Sequence, residues 1–202
     1  MHRWTEPRHL TTLLDFTKPM AFPAAVISLC FCVPYPVDLE IFRADDEYIV
    51  ADVNRNNIVF RAQGDLFKLH AGGRMWDAAG YPVVTFRKKI MTAHSRWQVF
   101  RGNNIDSNHL LFSARKSSML QVKTKLHVFL AINTAEDVCD FKMHKKSGKS
   151  SKFMVRVHPN MDYAFVVAII LILDRMNTSS SSKGLLETIT AVGNIAGAVG
   201  QS

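Results

Sequence analysis

A chain of 202 residues that is 48% hydrophobic and 21% charged has room for one domain with appendages, in the composition range of an ordinary soluble globular protein. Its net charge of +8 and pI near 9.6 favour acidic partners such as nucleic acid or an anionic lipid surface. Three cysteines, Cys30, Cys32 and Cys139, supply neither a disulfide framework nor zinc-finger spacing, so they read as small hydrophobes in a reducing compartment.

Residues 1–30 show no clear period. Thr11 to Phe16 could begin a helix, but Pro19 and Pro23 break it. The apolar stretch from Ala21 to Val33 contains Pro23 and follows Glu6 and Asp15, which makes a poor signal sequence and too short a membrane span. From Phe31 onward the texture changes to short strand signals separated by turns.

Tyr48 to Val53 is β-rich, and Asn54-Arg55-Asn56-Asn57 turns into Ile58-Val59-Phe60. Gly64-Asp65 turns into Leu66 to Leu69, and Gly72-Gly73 closes that unit. Asp77 to Gly80 leads into Val83 to Phe86, and Trp97 to Phe100 is followed by a polar loop from Gly102 to Asn108. The clearest strand runs from Leu120 to Leu130. Leu120, Val122, Leu126, Val128 and Leu130 share one parity, while Gln121, Lys123, Lys125 and His127 share the other. Val138 to Phe141 and Phe153 to Val157 read as two more strands. Strand signals at about 8–12-residue spacing indicate an all-β sandwich or barrel.

Ala164 to Leu173 is wholly apolar. As a helix it must be buried on every side, with Asp162 as its cap and Pro159 at the entry. Its five β-branched residues also suit a central strand. A barrel wide enough to need filling would take such a helix as its plug. Asn177-Thr178-Ser179 has the form of a glycosylation sequon, and a Ser run and Gly/Ala-rich tail follow.

Several motifs together resemble the plant LURP-one-related family. Phe31 to Leu39 resembles its Y-C-x-P-Y-P opening, and Asp52-Val53-Asn54 with Ile58-Val59-Phe60 resembles its first turn. His94-Ser95-Arg96-Trp97-Gln98-Val99-Phe100-Arg101-Gly102 is close to a family signature, and Ser117 to Leu126 and Val138 to Phe141 continue the match. Pro159 to Phe165 with Ile172-Leu173-Asp174 resembles the family's end. The resemblance implies a fold like the C-terminal domain of Tubby and the phospholipid scramblases: a closed antiparallel β-barrel around a central hydrophobic C-terminal helix. It divides the chain into an extension (1–30), the family domain (31–177) and a Ser/Gly/Ala-rich tail (178–202). Family members place further strands between the elements that here meet at Lys142 and Met143. About two strands are therefore expected to be missing and the barrel to be incomplete.

No enzyme signature is present, and no cofactor or metal is expected. Gly148-Lys149-Ser150 lacks the upstream glycine of a phosphate-binding loop, there is no G-x-S-x-G, and the eight His show no paired metal spacing. Asp45-Asp46-Glu47 reads as a solvated turn, and Trp97 as a core aromatic. The basic residues remain. Lys142, Lys145, Lys146, Lys149 and Lys152 bring five charges into eleven residues with no acid among them, and Arg87-Lys88-Lys89, Arg115-Lys116, Lys123 and Lys125 add to these. They form either a solvated loop or a docking surface for an anionic membrane, a phosphoinositide headgroup or a protein partner. The resemblance implies a non-enzymatic module in plant defence signalling, cytoplasmic and peripheral at the plasma membrane or nuclear. The alternatives are a nuclear or membrane-tethered transcriptional regulator without a sequence-specific nucleic-acid motif, and a shortened product without function. Lipid scrambling would need a membrane span, and ten apolar residues do not supply one.

Overall fold

The computed structural model describes residues 13–14, 25–44, 47–63, 72–89, 96–117, 125–144 and 152–176. Among these residues eleven strands form one antiparallel sheet. They are β1 (Leu13–Leu14), β2 (Val37–Ala44), β3 (Glu47–Asp52), β4 (Asn57–Gln63), β5 (Gly72–Asp77) and β6 (Pro82–Lys89), then β7 (Arg96–Arg101), β8 (Leu110–Lys116), β9 (Lys125–Leu130), β10 (Phe141–His144) and β11 (Lys152–Val157). From β2 to β10 the sheet is a plain meander, with β11 beside β2 and β1 beside β10. Successive connections therefore lie alternately at two ends. The turns at 53–56 and 78–81 and the loop at 102–109 mark the first end; Lys89, Arg96, Lys116 and Lys125 mark the far end.

One helix, α1 (163–176), follows β11. Every residue from Ala164 to Leu173 is buried. The inward parity of the strands supplies its surroundings: Leu39 and Ile41, Tyr48 and Val50, Phe60, Met75, Val84 and Phe86, Trp97 and Val99, Phe112, Leu126 and Val128 are all core. The β-branched residues of α1 would favour a strand, but burial of the whole run rewards apolar surface in any direction, so packing overrides propensity. Each fully buried Val, Ile, Leu or Phe contributes about 1.5–3 kcal/mol.

Asp162 starts the helix. Its Oδ1 accepts the Phe165 N–H at 3.0 Å, three residues on, as an N-cap does. Its Oδ2 accepts three more backbone N–H groups, from Val26 (3.1 Å), Ile27 (2.7 Å) and Ser28 (3.1 Å). One carboxylate thus stitches residues 26–28 to the helix, and Ile27 is buried in the core. Burial pushes the Asp162 carboxyl up, against the four N–H donors that favour its charged form. At the other end of the helix the Tyr48 hydroxyl donates to Asp174 Oδ2 at 2.7 Å, and the Arg175 guanidinium lies 4.7 Å from the Tyr48 ring centre.

The resemblance implied a barrel closed in full members and left incomplete by missing strands. Among the described residues the sheet is not closed: its order is linear, with β1 and β11 at its two outer positions. Three expectations need correcting. Thr11 to Phe16 was a candidate helix start, yet Leu13–Leu14 pairs with His144 and Met143 as a short strand, because β10 offers an edge there. Gly72-Gly73 reads as a turn but opens β5. A Cβ on Gly72 would sit 3.1 Å from the Phe86 carbonyl oxygen, so this is a glycine of close strand approach. Strand β10 begins at Phe141 rather than Val138, because Asn133 Nδ2 takes the Val138 carbonyl at 2.8 Å inside a loop at 131–140. Strand β8 has no alternating signal because Leu111 to Ala114 are buried on both faces. The segment expected as a strand at Leu66 to Leu69 lies outside the described residues.

Candidate functional site

Strand register decides where the basic residues meet. Lys89 of β6 stands opposite Arg96 of β7, and Arg96 stands opposite Arg115 of β8. Arg115 in turn faces His127 of β9, which faces Lys142 of β10. Residues directly opposite one another across antiparallel strands have Cβ atoms about 4.5–5.5 Å apart, and like charges so placed repel. The row crosses five strands near the far end. Its positions alternate with the buried Trp97, Ala114, Leu126 and Val128, so Lys89, Arg96, Arg115 and His127 belong to the outer face.

Arg96 and Arg115 each have a partner. Both Nη atoms of Arg96 donate to the Glu136 carboxylate, one to Oε1 at 2.9 Å and the other to Oε2. The side chains of this pair keep 18% and 27% of their surface exposed, so it is partly desolvated. The Arg115 guanidinium sits over the ring of Phe129, 4.6 Å from its centre. Among the described residues, no ion pair forms at Arg87, Lys88, Lys89 or Arg115.

Glu136 lies in the 131–140 loop, which is tied back on itself. Asp140 Oδ2 accepts from the Leu130 N–H at 2.8 Å and from Asn133 Nδ2 at 2.9 Å. The Glu136 N–H donates to Asn133 Oδ1 at 3.1 Å.

The other expected basic residues divide. Arg87 is exposed on the outer face, between Gly72 and Gln98. Lys88 and Lys116 have inward parity: opposite Trp97 and Leu126 respectively, they sit half-buried at the rim of the same end. Lys142 and Lys152 belong to strands β10 and β11, so the expected basic loop is shorter than its sequence span. Lys145, Lys146 and Lys149 lie outside the described residues. Sequence reasoning missed Arg96, His127 and Glu136. Arg96 was legible as the outward neighbour of the inward Trp97; Glu136 carried no signal.

Elsewhere the described polar clusters have structural work. Arg156 clasps Asp38 with two bonds, at 2.6 and 2.8 Å, and holds that carboxyl below its ordinary range. Glu47 pairs with Arg61, and Trp97 is 3% exposed in the core. Among the described residues no group of three His, Cys, Asp or Glu could hold a metal ion, and no helix is long and apolar enough to cross a membrane.

Comparison with known proteins places this arrangement. Residues 40–151 match a family model described as LURP-one-related. The chain is 38% identical to Protein LURP-one-related 15 of Arabidopsis thaliana over 186 residues, covering 75% of this chain and 85% of that protein. It is 36% identical to Protein LURP-one-related 10 of the same plant over 193 residues, covering 78% and 98%. A crystal structure of an Arabidopsis thaliana protein superposes with a TM-score of 0.59 at 32% identity, covering 76% of this chain and 98% of the other. The 186 positions aligned to the first relative exceed what three quarters of a 202-residue chain supplies, so that relative has residues there with no counterpart here.

Proposed function

The chain belongs to the LURP-one-related family, and from that premise we propose that it is a non-enzymatic module that docks on anionic membrane lipid through the far end of its sheet. The observation that carries this reading is the cationic row of Lys89, Arg96 and Arg115 across three neighbouring strands. A fold gains nothing from stacking like charges across neighbouring strands, whereas an anionic leaflet attracts each basic residue near it by about 1 kcal/mol. Arg87, Lys88 and Lys116 surround the row. Docking of this kind suits a defence-signalling protein that moves between cytoplasm and membrane.

The test is vesicle co-sedimentation. Binding is expected to require acidic lipid and to weaken steeply with salt, since screening acts over about 8 Å at physiological ionic strength. Lys89→Gln with Arg115→Gln removes two contacts and is expected to weaken binding about 30-fold, at about 1 kcal/mol each. Vesicle binding that ignores both acidic lipid and this double substitution overturns the reading. If the same substitution instead moves a tagged protein out of the nucleus, the basic residues serve as a nuclear address.

A further inference from the structure

Glu136 is held in a backbone setting that it disfavours. Its φ is +54°, the left-handed region that non-glycine residues rarely enter. Two contacts keep it there, the Asn133 Oδ1 acceptor for its N–H and the two Nη atoms of Arg96 for its carboxylate. The loop accepts local strain and places one carboxylate in the middle of a row of cations, with Lys89 and Arg115 on either side of the arginine it holds.

We propose that this carboxylate is a stand-in: Arg96, flanked by Lys89 and Arg115, is a binding position for the phosphate monoester of a membrane lipid, and Glu136 fills it when no lipid is bound. The proposal rests on the docking reading above and narrows it to a headgroup class. An arginine fork that accepts two carboxylate oxygens accepts two phosphate oxygens in the same way. Charge decides which anion displaces Glu136. The glutamate brings one negative charge at the high effective concentration of a tethered group. A phosphodiester, or the net charge of a phosphatidylserine headgroup, offers no more than one and competes poorly. A phosphate monoester carries about −1.5 to −2 at pH 7 and gains more from Lys89 and Arg115 than the carboxylate does. Glu136 therefore acts as a filter, excluding singly charged headgroups and yielding to doubly charged ones.

The experiment uses the full chain and phosphatidylcholine vesicles carrying either phosphatidic acid or phosphatidylserine at matched surface charge. The intact protein is expected to prefer phosphatidic acid. Glu136→Gln is expected to raise phosphatidylserine binding about fivefold, the effect of releasing one partly buried ion pair, and so to narrow the preference. Asp137→Asn, the same change in net charge at the exposed neighbouring position, is expected to move it far less. Arg96→Gln is expected to abolish the preference while leaving salt-sensitive binding through the remaining cations. Equal binding of both lipids by the intact protein overturns the proposal, as does an unchanged affinity in Glu136→Gln. If Lys89→Gln with Arg115→Gln still weakens binding in that case, the docking reading stands alone. Inorganic phosphate bound at this position with no vesicle binding overturns the lipid assignment. Thermal melts of each variant confirm that folded protein is being compared.

Discussion

The two ends of the sheet treat charge in opposite ways. At the first end, the buried carboxylate of Asp162 is answered by four backbone N–H groups, three from the distant residues 26–28 and one from its own helix. At the far end, cations stand opposite cations across β6 to β8, and the carboxylate that reaches them, that of Glu136, comes from a strained loop position. That buried charge is answered within the chain. On the docking reading proposed above, the positive charge at the far end is answered by an external anion. Charge that the fold answers for itself belongs to stability, and charge that it assembles against repulsion is better placed for binding.

The largest effect is expected where the first end's logic extends into the core. Ile170→Asp places an unpaired charge in α1, at a residue 3% exposed, and costs several kcal/mol. Loss of soluble, folded protein is the expected outcome, and a normal yield with native circular dichroism would show that the helix is not enclosed.

Asp162→Asn comes next. The amide keeps one acceptor oxygen and turns an NH2 towards N–H donors, so either the Phe165 bond or the three bonds from 26–28 are lost. Leaving buried donors unsatisfied costs about 1–3 kcal/mol, and the cap itself is worth about 1 kcal/mol. A urea midpoint within error of the unaltered protein would mean that residues 26–28 do not depend on this carboxylate.

The smallest effect sharpens the comparison from the other side. Lys89→Gln with Arg115→Gln removes like charges from the row and is expected to change stability by no more than about 0.5 kcal/mol, with either sign. A large destabilisation in urea melts would make the row structural and remove the contrast between the ends.

The chain's own order carried much of this. An all-apolar run must be enclosed whichever backbone it adopts, so Ala164 to Leu173 announced the core, and Asp162 announced the helix start three residues before the N–H it caps. Alternation placed Leu126 and Val128 inside and His127 outside, because strand parity is a local property of the backbone. Which residue lies across from which is not local. Register accumulates through every turn and through bulges at Val50/Ala51, Met75/Trp76 and Val99/Phe100. Tertiary structure alone therefore set Lys89, Arg96 and Arg115 side by side. It also brought Val26 to Ser28 onto Asp162 across more than 130 positions of chain and Glu136 onto Arg96 across 40, since neither contact leaves a period or motif in the sequence.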